Sequence, residues 1–336
     1  MPSTCSLLAM KAVLFDEPGD PDVLYVGECP RPVPGEEELL VRVAATALNR
    51  ADTMQRRGRY DPPPGASPIL GLEVAGVVVS VGSACSGWQV GDTVMGLLAG
   101  GGYAEFAVLH HQHAMPVPGD LSLVSAAAIP EVFLTAFQAL FLIGHLMRDE
   151  DVLFHAGASG VGTAAIQLAK VAGARIFVTA SPQKHAACYE LGADLAIDYR
   201  AEEFAKRIED STGGRGVDLI VDCVGAVYFH RNVRSLALDG RLVLISMLSG
   251  SRVAQVDLRR LFKKRVQVTA TTLRSRSVAY KAALVERFAV ESLPLFADGR
   301  LREVVDSVVD IEDVQDAHRR MEANENVGKI VLKIGG

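Results

Sequence analysis

The sequence contains no Cys-x-x-Cys pair. Its five cysteines (Cys5, Cys29, Cys85, Cys188 and Cys223) are an odd number scattered over 336 residues. Neither a disulfide framework nor a cysteine-rich metal site is implied. There is no surplus of positive charge either: 34 Lys and Arg against 40 Asp and Glu leave a formal charge of −6. That balance argues against a general electrostatic binder of nucleic acid or membrane surfaces. One basic stretch, Arg259-Arg260-Leu261-Phe262-Lys263-Lys264-Arg265, reads as the solvated end of a helix. No basic segment opens the chain, its first apolar stretch is broken by Lys11 and Asp16, and no run is expected to reach the ~18–20 apolar residues of a membrane span. Residues 1–9 read as an unstructured leader, with Met10 an alternative start, and a cytoplasmic protein is expected.

What is present is an ordinary globular composition, 49% hydrophobic and 22% charged, in a length that predicts two domains. Residues 151–181 are the most informative segment. An apolar strand (152–154) runs into a small-residue turn (156–162), then a helix with apolar Val161, Ala165, Ile166 and Ala169, stopped at Gly173, then a second strand (176–179). Such a turn aims unpaired backbone N–H groups and the positive end of a helix dipole at a pyrophosphate. Gly157 allows the tight turn, Ser159 and Gly160 keep the backbone accessible, and Gly162 lets helix and strand pack closely. Ser159 replaces the usual middle glycine, so the signal rests on the strand before and the helix after. A dinucleotide site is expected.

Residues 10–130 look β-rich, with short strands at 12–15, 39–44, 73–81 and 104–108 broken by Pro- and Gly-rich loops at 30–35, 61–68 and 100–102. This predicts a compact barrel-like domain. A helix is expected at 126–143. Strands at 152–154, 176–179, 195–198, 219–222, 241–245 and 266–271 then alternate with helices, the pattern of a doubly wound parallel sheet. A helix at 280–296, strands at 302–308 and 329–334 and a helix at 311–322 are too little for a third domain. This tail is expected to return to the N-terminal domain.

An NAD-preferring fold normally carries Asp or Glu at the end of its second strand, bonding the adenosine ribose. Here that strand ends Val178-Thr179-Ala180-Ser181, with Lys184 just beyond. A neutral strand end with a cation nearby suits a 2′-phosphate, which favours NADPH. Ser181 and Lys184 are the candidates to bind that phosphate; the alternative is that Ser181 is simply a helix N-cap and Lys184 a surface lysine. The group His110, His111 and His113 has no neighbouring cysteine, and alternation sends its side chains to opposite faces, so no zinc site is expected.

Several motifs together make the chain similar to a known family. They are Ala47-Leu-Asn-Arg-Ala-Asp52, Met54-Gln-Arg, Tyr60-Asp-Pro-Pro-Pro-Gly65, Ile129-Pro-Glu131, Leu134-Thr-Ala-Phe-Gln138, His155-Ala-Gly, Ser159-Gly-Val-Gly-Thr-Ala-Ala165, Leu273-Arg-Ser-Arg276, Met321-Glu-Ala-Asn324 and Val327-Gly-Lys-Ile-Val331. Over residues 10–334 the chain resembles the zeta-crystallin-like quinone oxidoreductases of the medium-chain dehydrogenase/reductase superfamily, and within them the tumour-suppressor-inducible subgroup of animals. Zinc-dependent relatives carry a cysteine motif where this chain has Leu48-Asn49-Arg50-Ala51-Asp52, and Gly-His-Glu where it has Gly71-Leu72-Glu73. The four-cysteine structural zinc lobe is absent too.

The resemblance implies an α/β protein with a GroES-like β-rich catalytic domain (10–130 and 274–336) and a Rossmann domain with a doubly wound parallel sheet (131–273). It implies NADPH between the two lobes, contacted by Asn49, Thr135, Ser159, Gly160, Val161, Gly162, Ser181, Lys184 and Tyr199. Cys223, Val224, Gly225, Met247, Leu248, Thr271, Thr272, Leu273 and Asn326 close over the rest, and Tyr60 lies near nicotinamide and substrate. Cys223 also reads as a small buried residue after a strand. The implied activity is zinc-free, NADPH-dependent reduction of a small-molecule quinone or enone in a homodimer, with residues 241–245 and 266–271 as candidate edge strands for pairing. Tyr60 and Asn49 are the polar candidates to position the acceptor oxygen; Tyr60 reads alternatively as packing. An enoyl-thioester reductase, or an NADPH-binding structural or regulatory protein with little turnover, are the other readings.

Overall fold

The computed structural model describes residues 8–335, so Cys5 and most of the segment read as a leader lie outside the described residues. The chain divides into two compact units, residues 1–131 with 274–336, and Val132–Leu273.

The first unit is built on a seven-stranded sheet in the order Val305–Asp310, Lys329–Lys333, Glu38–Ala47, Glu73–Val81, Thr93–Leu97, Ala114–Pro116, with Phe106–His110 also paired to Glu38–Ala47. Val331 lies opposite Ala47, so the C-terminal strand joins the N-terminal sheet directly. Aliphatic side chains on these strands, among them Leu39, Val41, Val43, Val74, Val78, Leu109, Ile330 and Leu332, close one core with Leu48 and Tyr103. Their removal from water is the main stabilising term. A two-stranded ribbon, Ala9–Leu14 with Tyr25–Pro30, stands beside it in the same unit. The Tyr25–Pro30, Thr93–Leu97 and Ala114–Pro116 strands and the helix Arg50–Arg56 are additions to the sequence-based expectation.

The second unit is a six-stranded parallel sheet in the order Leu195–Asp198, Arg175–Ala180, Asp151–His155, Val217–Asp222, Leu236–Leu244, Gln267–Ala270. The chain starts at the third strand, works outward to one side and returns to build the other. This is a doubly wound sheet with its switch point beside Asp151–His155. The expectation that residues 241–245 form an edge is corrected here. Residues 241–244 belong to Leu236–Leu244, which pairs with Val217–Asp222 on one side and Gln267–Ala270 on the other, and Ile245 lies just beyond it. The edges are Leu195–Asp198 and Gln267–Ala270.

The single helix expected at 126–143 is three pieces: Leu123–Ala126, Pro130–Phe137 and a π-helical turn Gln138–Ile143. Pro130 offers no N–H to a preceding turn but suits a first helical position, so it starts a new helix. Contrary to the expectation of short apolar runs, Leu123–Ile143 is long and apolar enough by length and composition to cross a membrane. Its most apolar window is 72% buried inside the protein, as in a core segment. The basic stretch falls on the exposed helix Leu258–Lys264, where Lys264 Nζ donates to the carbonyls of Arg234 (2.7 Å) and Leu236 (2.5 Å) at the end of the helix Phe229–Ser235.

Candidate active site

The helix Gly160–Ala172 begins at Ser159, whose Oγ accepts from Gly162 N (3.1 Å), and ends at Gly173 in the left-handed conformation. A Cβ on Gly162 would sit 2.3 Å from Ala156 O, and one on Gly157 2.5 Å from Val178 Cβ. Both glycines are therefore demanded by close approach, and the remaining N–H groups of the first turn are left for an anion.

Because the sheet is parallel, the residues after its strands gather at one edge. Ser159, Gly160, Val161 and Gly162 follow Asp151–His155; Ser181 and Lys184 follow Arg175–Ala180; Tyr199 follows Leu195–Asp198. Cys223, Val224 and Gly225 follow Val217–Asp222, Met247 and Leu248 follow Leu236–Leu244, and Thr271, Thr272 and Leu273 follow Gln267–Ala270. Ligands of such sheets bind outside these carboxyl ends. Leu248 N donates to Cys223 O (3.1 Å), which ties two of these loops together. Ser181 caps the turn Pro182–Lys184 without a side-chain hydrogen bond to it. Thr135 belongs to the helix Pro130–Phe137. Asn49, Tyr60 and Asn326 belong to the other unit, where Asn326 Nδ2 donates to Gly328 O (2.7 Å).

A buried hydrogen-bonded relay beneath this edge was not anticipated. Asp222 accepts from Val224 N (2.6 Å) and Gly225 N (3.2 Å), and from Asn232 Nδ2 (2.9 Å). The amide oxygen of Asn232 lies 2.7 Å from His155 Nε2, and His155 Nδ1 lies 3.1 Å from Thr179 Oγ1. Asn232 presents its oxygen to the ring, so Nε2 carries the proton and Nδ1 accepts from Thr179. Thr179 Oγ1 in turn accepts from Ala156 N (3.2 Å). Burial holds the His155 imidazole below its ordinary pKa, and therefore neutral. The relay links the 223–225 loop to the 156–162 turn.

The first unit carries a second constellation. Lys329 and Glu73 are buried and joined at 2.8 Å. All three Lys329 ammonium protons are used, on Glu73, Leu48 O (2.5 Å) and Asn49 Oδ1 (2.7 Å). Glu73 also accepts from Asn49 Nδ2 (2.9 Å) and from Glu131 N (2.8 Å). Asn49 Nδ2 donates further to Ala47 O (3.2 Å). The Asn49 amide, expected to face an acceptor oxygen, is thus engaged at both ends in the scaffold.

Asp52 accepts from Asn49 N (2.8 Å) and Gly71 N (3.0 Å), and burial raises its carboxyl to about 6 despite those bonds. Glu131 is pushed up to about 8, by burial first and by the Glu73 carboxylate next. Tyr60 is partly buried, and burial followed by Glu131 raises its hydroxyl above the ordinary range, so it stays a donor at neutral pH. Beyond Asp52, Tyr103 Oη lies 3.4 Å from His318 Nε2, and Arg56 Nη1 donates to His318 Nδ1 (3.0 Å). Burial and then Arg56 depress His318 to about 3. Glu73, Glu131, Arg274 and Lys329 had been quoted only as parts of motifs. A charge inside an apolar run, as in Leu72-Glu73-Val74 and Gly328-Lys329-Ile330, was the available signal.

Residues 35–119 match the family described as alcohol dehydrogenase GroES-like domain, and residues 160–289 the family described as zinc-binding dehydrogenase. The synaptic vesicle membrane protein VAT-1 homolog of Homo sapiens is 32% identical over 90% of this chain and 81% of its own length. The chain belongs to the medium-chain dehydrogenase/reductase superfamily. It spans 64% of the length of the Danio rerio VAT-1 homolog, which is also 32% identical.

Solved members of the superfamily agree with the fold. A mycobacterial protein in complex with NADPH has 34% identity and a TM-score of 0.86, covering 96% of this chain and 99% of the other. A mycobacterial quinone oxidoreductase has 33% identity and a TM-score of 0.84 over the same shares, 96% and 99%. The CurK enoyl reductase has 30% identity and a TM-score of 0.85, over 97% and 99%. The chain is accordingly an α/β oxidoreductase with a GroES-like and a Rossmann-type part.

The name of the second matched family raises the question of zinc. Among the described residues, no three His, Cys, Asp or Glu side chains come together so as to hold a metal ion. The expected alternation is corrected: His111–His113 is a 3-10 turn, and the rings of His111 and His113 both lie against His110, with centroids 5.2 and 4.8 Å from it. Both oxygens of Glu73 are occupied by Lys329, Asn49 and the Glu131 amide. The donor set does not fit zinc.

Proposed function

We propose that the protein is a zinc-independent, NADPH-dependent reductase of quinones or activated enones, close in kind to the tumour-suppressor-inducible quinone oxidoreductases and working as a homodimer. The observation that carries this reading is the Glu73–Lys329 pair, 2.8 Å apart. An ammonium, already saturated with hydrogen bonds, balances the carboxylate of Gly71-Leu72-Glu73. An acceptor reduced without a Lewis acid must be electrophilic in itself, as quinones and enones are.

NADPH, when bound, supplies the hydride. The chain's own part is to orient, to exclude water and to stabilise charge on the acceptor oxygen. The turn at Ser159–Gly162 would hold the pyrophosphate. Ser181 and Lys184, at a strand end without a carboxylate, would hold the 2′-phosphate. Tyr60 is the hydroxyl donor in this reading, and Asn49 holds the scaffold beneath it.

The similarity to the CurK enoyl reductase supports a second reading, reduction of an enoyl thioester. NADPH oxidation, beside NADH, with a panel of ortho- and para-quinones and a crotonyl-thioester decides between them. Quinone turnover preferring NADPH is expected. Faster crotonyl-thioester turnover would favour the second reading, and tight NADPH binding with no acceptor reduced would favour a structural or regulatory role.

A further inference from the structure

Of the Leu273-Arg-Ser-Arg276 motif only Leu273 has a part in that function, yet the first arginine stands out. Among the described residues, Arg274 Nη1 is the buried side-chain nitrogen without a hydrogen-bond partner. The residue is 4% exposed. Its Nε donates to Ala99 O (2.8 Å) and its Nη2 to Gln55 Oε1 (2.7 Å). Gln55 Nε2 holds Pro68 O (2.8 Å), at the far end of the loop that Tyr60 opens. The Tyr60 ring lies over the guanidinium, 5.4 Å from its carbon to the ring centroid. The Tyr60 hydroxyl has no hydrogen bond among the described residues.

A guanidinium proton buried without an acceptor costs about 1–3 kcal/mol or more, so a fold that keeps one has a use for it. The carboxyls that act on Arg274 do not quench it. Asp52 is occupied by Gly71 N, Asn49 N and the Tyr103 hydroxyl. Glu131, raised to about 8, is neutral at physiological pH. Lys281, itself buried, donates to Arg274 O at 3.5 Å and adds a second cation. With Lys329 balanced by Glu73, the buried Arg274 and Lys281 cations are left with the Asp52 carboxylate, already held by its three donors, and the buried cluster keeps one positive charge over. Such a place suits an anion.

We propose that Arg274 Nη1 and the Tyr60 hydroxyl form the oxyanion site of this enzyme, receiving the carbonyl oxygen of an acceptor whose reduced form is a phenolate or enolate. The role in turnover rests on the reductase reading; the affinity for an oxyanion does not. In the step concerned, hydride adds with its two electrons to one end of the conjugated acceptor, and the displaced π pair comes to rest on the carbonyl oxygen. That oxygen is held by Arg274 and Tyr60 until it takes a proton from water. No covalent bond to the protein forms. Two donors aimed at developing charge act in the transition state more than in the ground state.

The test uses full-length protein with Arg274→Gln, Arg274→Lys and Tyr60→Phe, and reads three quantities: kcat with a para-quinone, the NADPH dissociation constant, and the affinity for 4-nitrophenolate by absorbance titration. Arg274→Gln is expected to lower kcat by ~100-fold or more, as for loss of one oxyanion donor. It should weaken 4-nitrophenolate about tenfold, leave NADPH affinity within about twofold, and be partly rescued by Arg274→Lys. If wild-type protein reduces the quinone and Arg274→Gln keeps both its kcat and its phenolate affinity, the oxyanion site is overturned while the reductase reading stands. Arg274-dependent phenolate binding in a protein that reduces no quinone supports the site and removes the reductase reading. Should Arg274→Gln fail to fold, wild-type phenolate affinity in both Arg274→Lys and Tyr60→Phe overturns the proposal.

Discussion

The Lys329 ammonium lies 2.8 Å from the Glu73 carboxylate, with the two side chains 3% and 0% exposed, and they are brought together from opposite ends of the chain by the pairing of Lys329–Lys333 with Glu38–Ala47 and of that strand with Glu73–Val81. A buried pair that has filled its remaining hydrogen bonds contributes little net stability, but breaking it strands a charge. Lys329→Met is therefore expected to destabilise the protein by about 3–5 kcal/mol in denaturant unfolding. Lys329→Met with Glu73→Gln should recover a substantial part, since the stranded carboxylate is then gone. Equal stability of the single and double variants would refute this.

Glu131 moves from its ordinary 4.5 to about 8 on folding. Between these values the native chain keeps a proton that the unfolded chain has lost. Its contribution to stability is thus complete below about 4.5 and is lost as pH rises through 8. Relative to Glu131→Gln, which cannot ionise, the wild-type melting temperature should fall from pH 5 to about pH 8 and level off above it. Parallel curves for the two proteins would show that Glu131 does not titrate in this range.

The relay through Asp222, Asn232, His155 and Thr179 shapes both the 223–225 loop and the 156–162 turn. Asn232→Leu leaves Asp222 and His155 each short of a buried partner, at a cost of about 1–3 kcal/mol for each. Weaker NADPH binding is expected with kcat at saturation changed less. A KM for NADPH equal to that of wild type would separate the relay from the nucleotide site.

Lys184 follows the strand end Ala180–Ser181, where no carboxylate stands. If it meets the 2′-phosphate, Lys184→Ala removes a charge-assisted bond of about 1.5–3 kcal/mol. The KM for NADPH should rise at least about tenfold and that for NADH hardly at all. An equal change for both cofactors would place the lysine elsewhere.

The turn at residues 156–162 was legible because its physics is largely local. Strand, small residues, helix and stopping Gly173 follow one another within about thirty positions, and the close approaches to Val178 and Ala156 O explain the glycines at 157 and 162. The strands Glu73–Val81 and Leu195–Asp198 were legible to the residue, being short apolar or alternating runs between turns. The break at Pro130 was visible as a proline and still read as helix, because the apolar pattern continues through it.

The amino-acid sequence by itself determined the alternating α/β pattern, the neutral second strand end and the glycines of the turn, since each depends on residues close along the chain. Only the tertiary structure decided which strand is an edge, where the Asn49 amide is spent, and which charges face one another. Asn49, Glu73, Arg274 and Lys329 are separated by up to 280 positions, and their chemistry is set by burial and partners that exist only once the sheet closes.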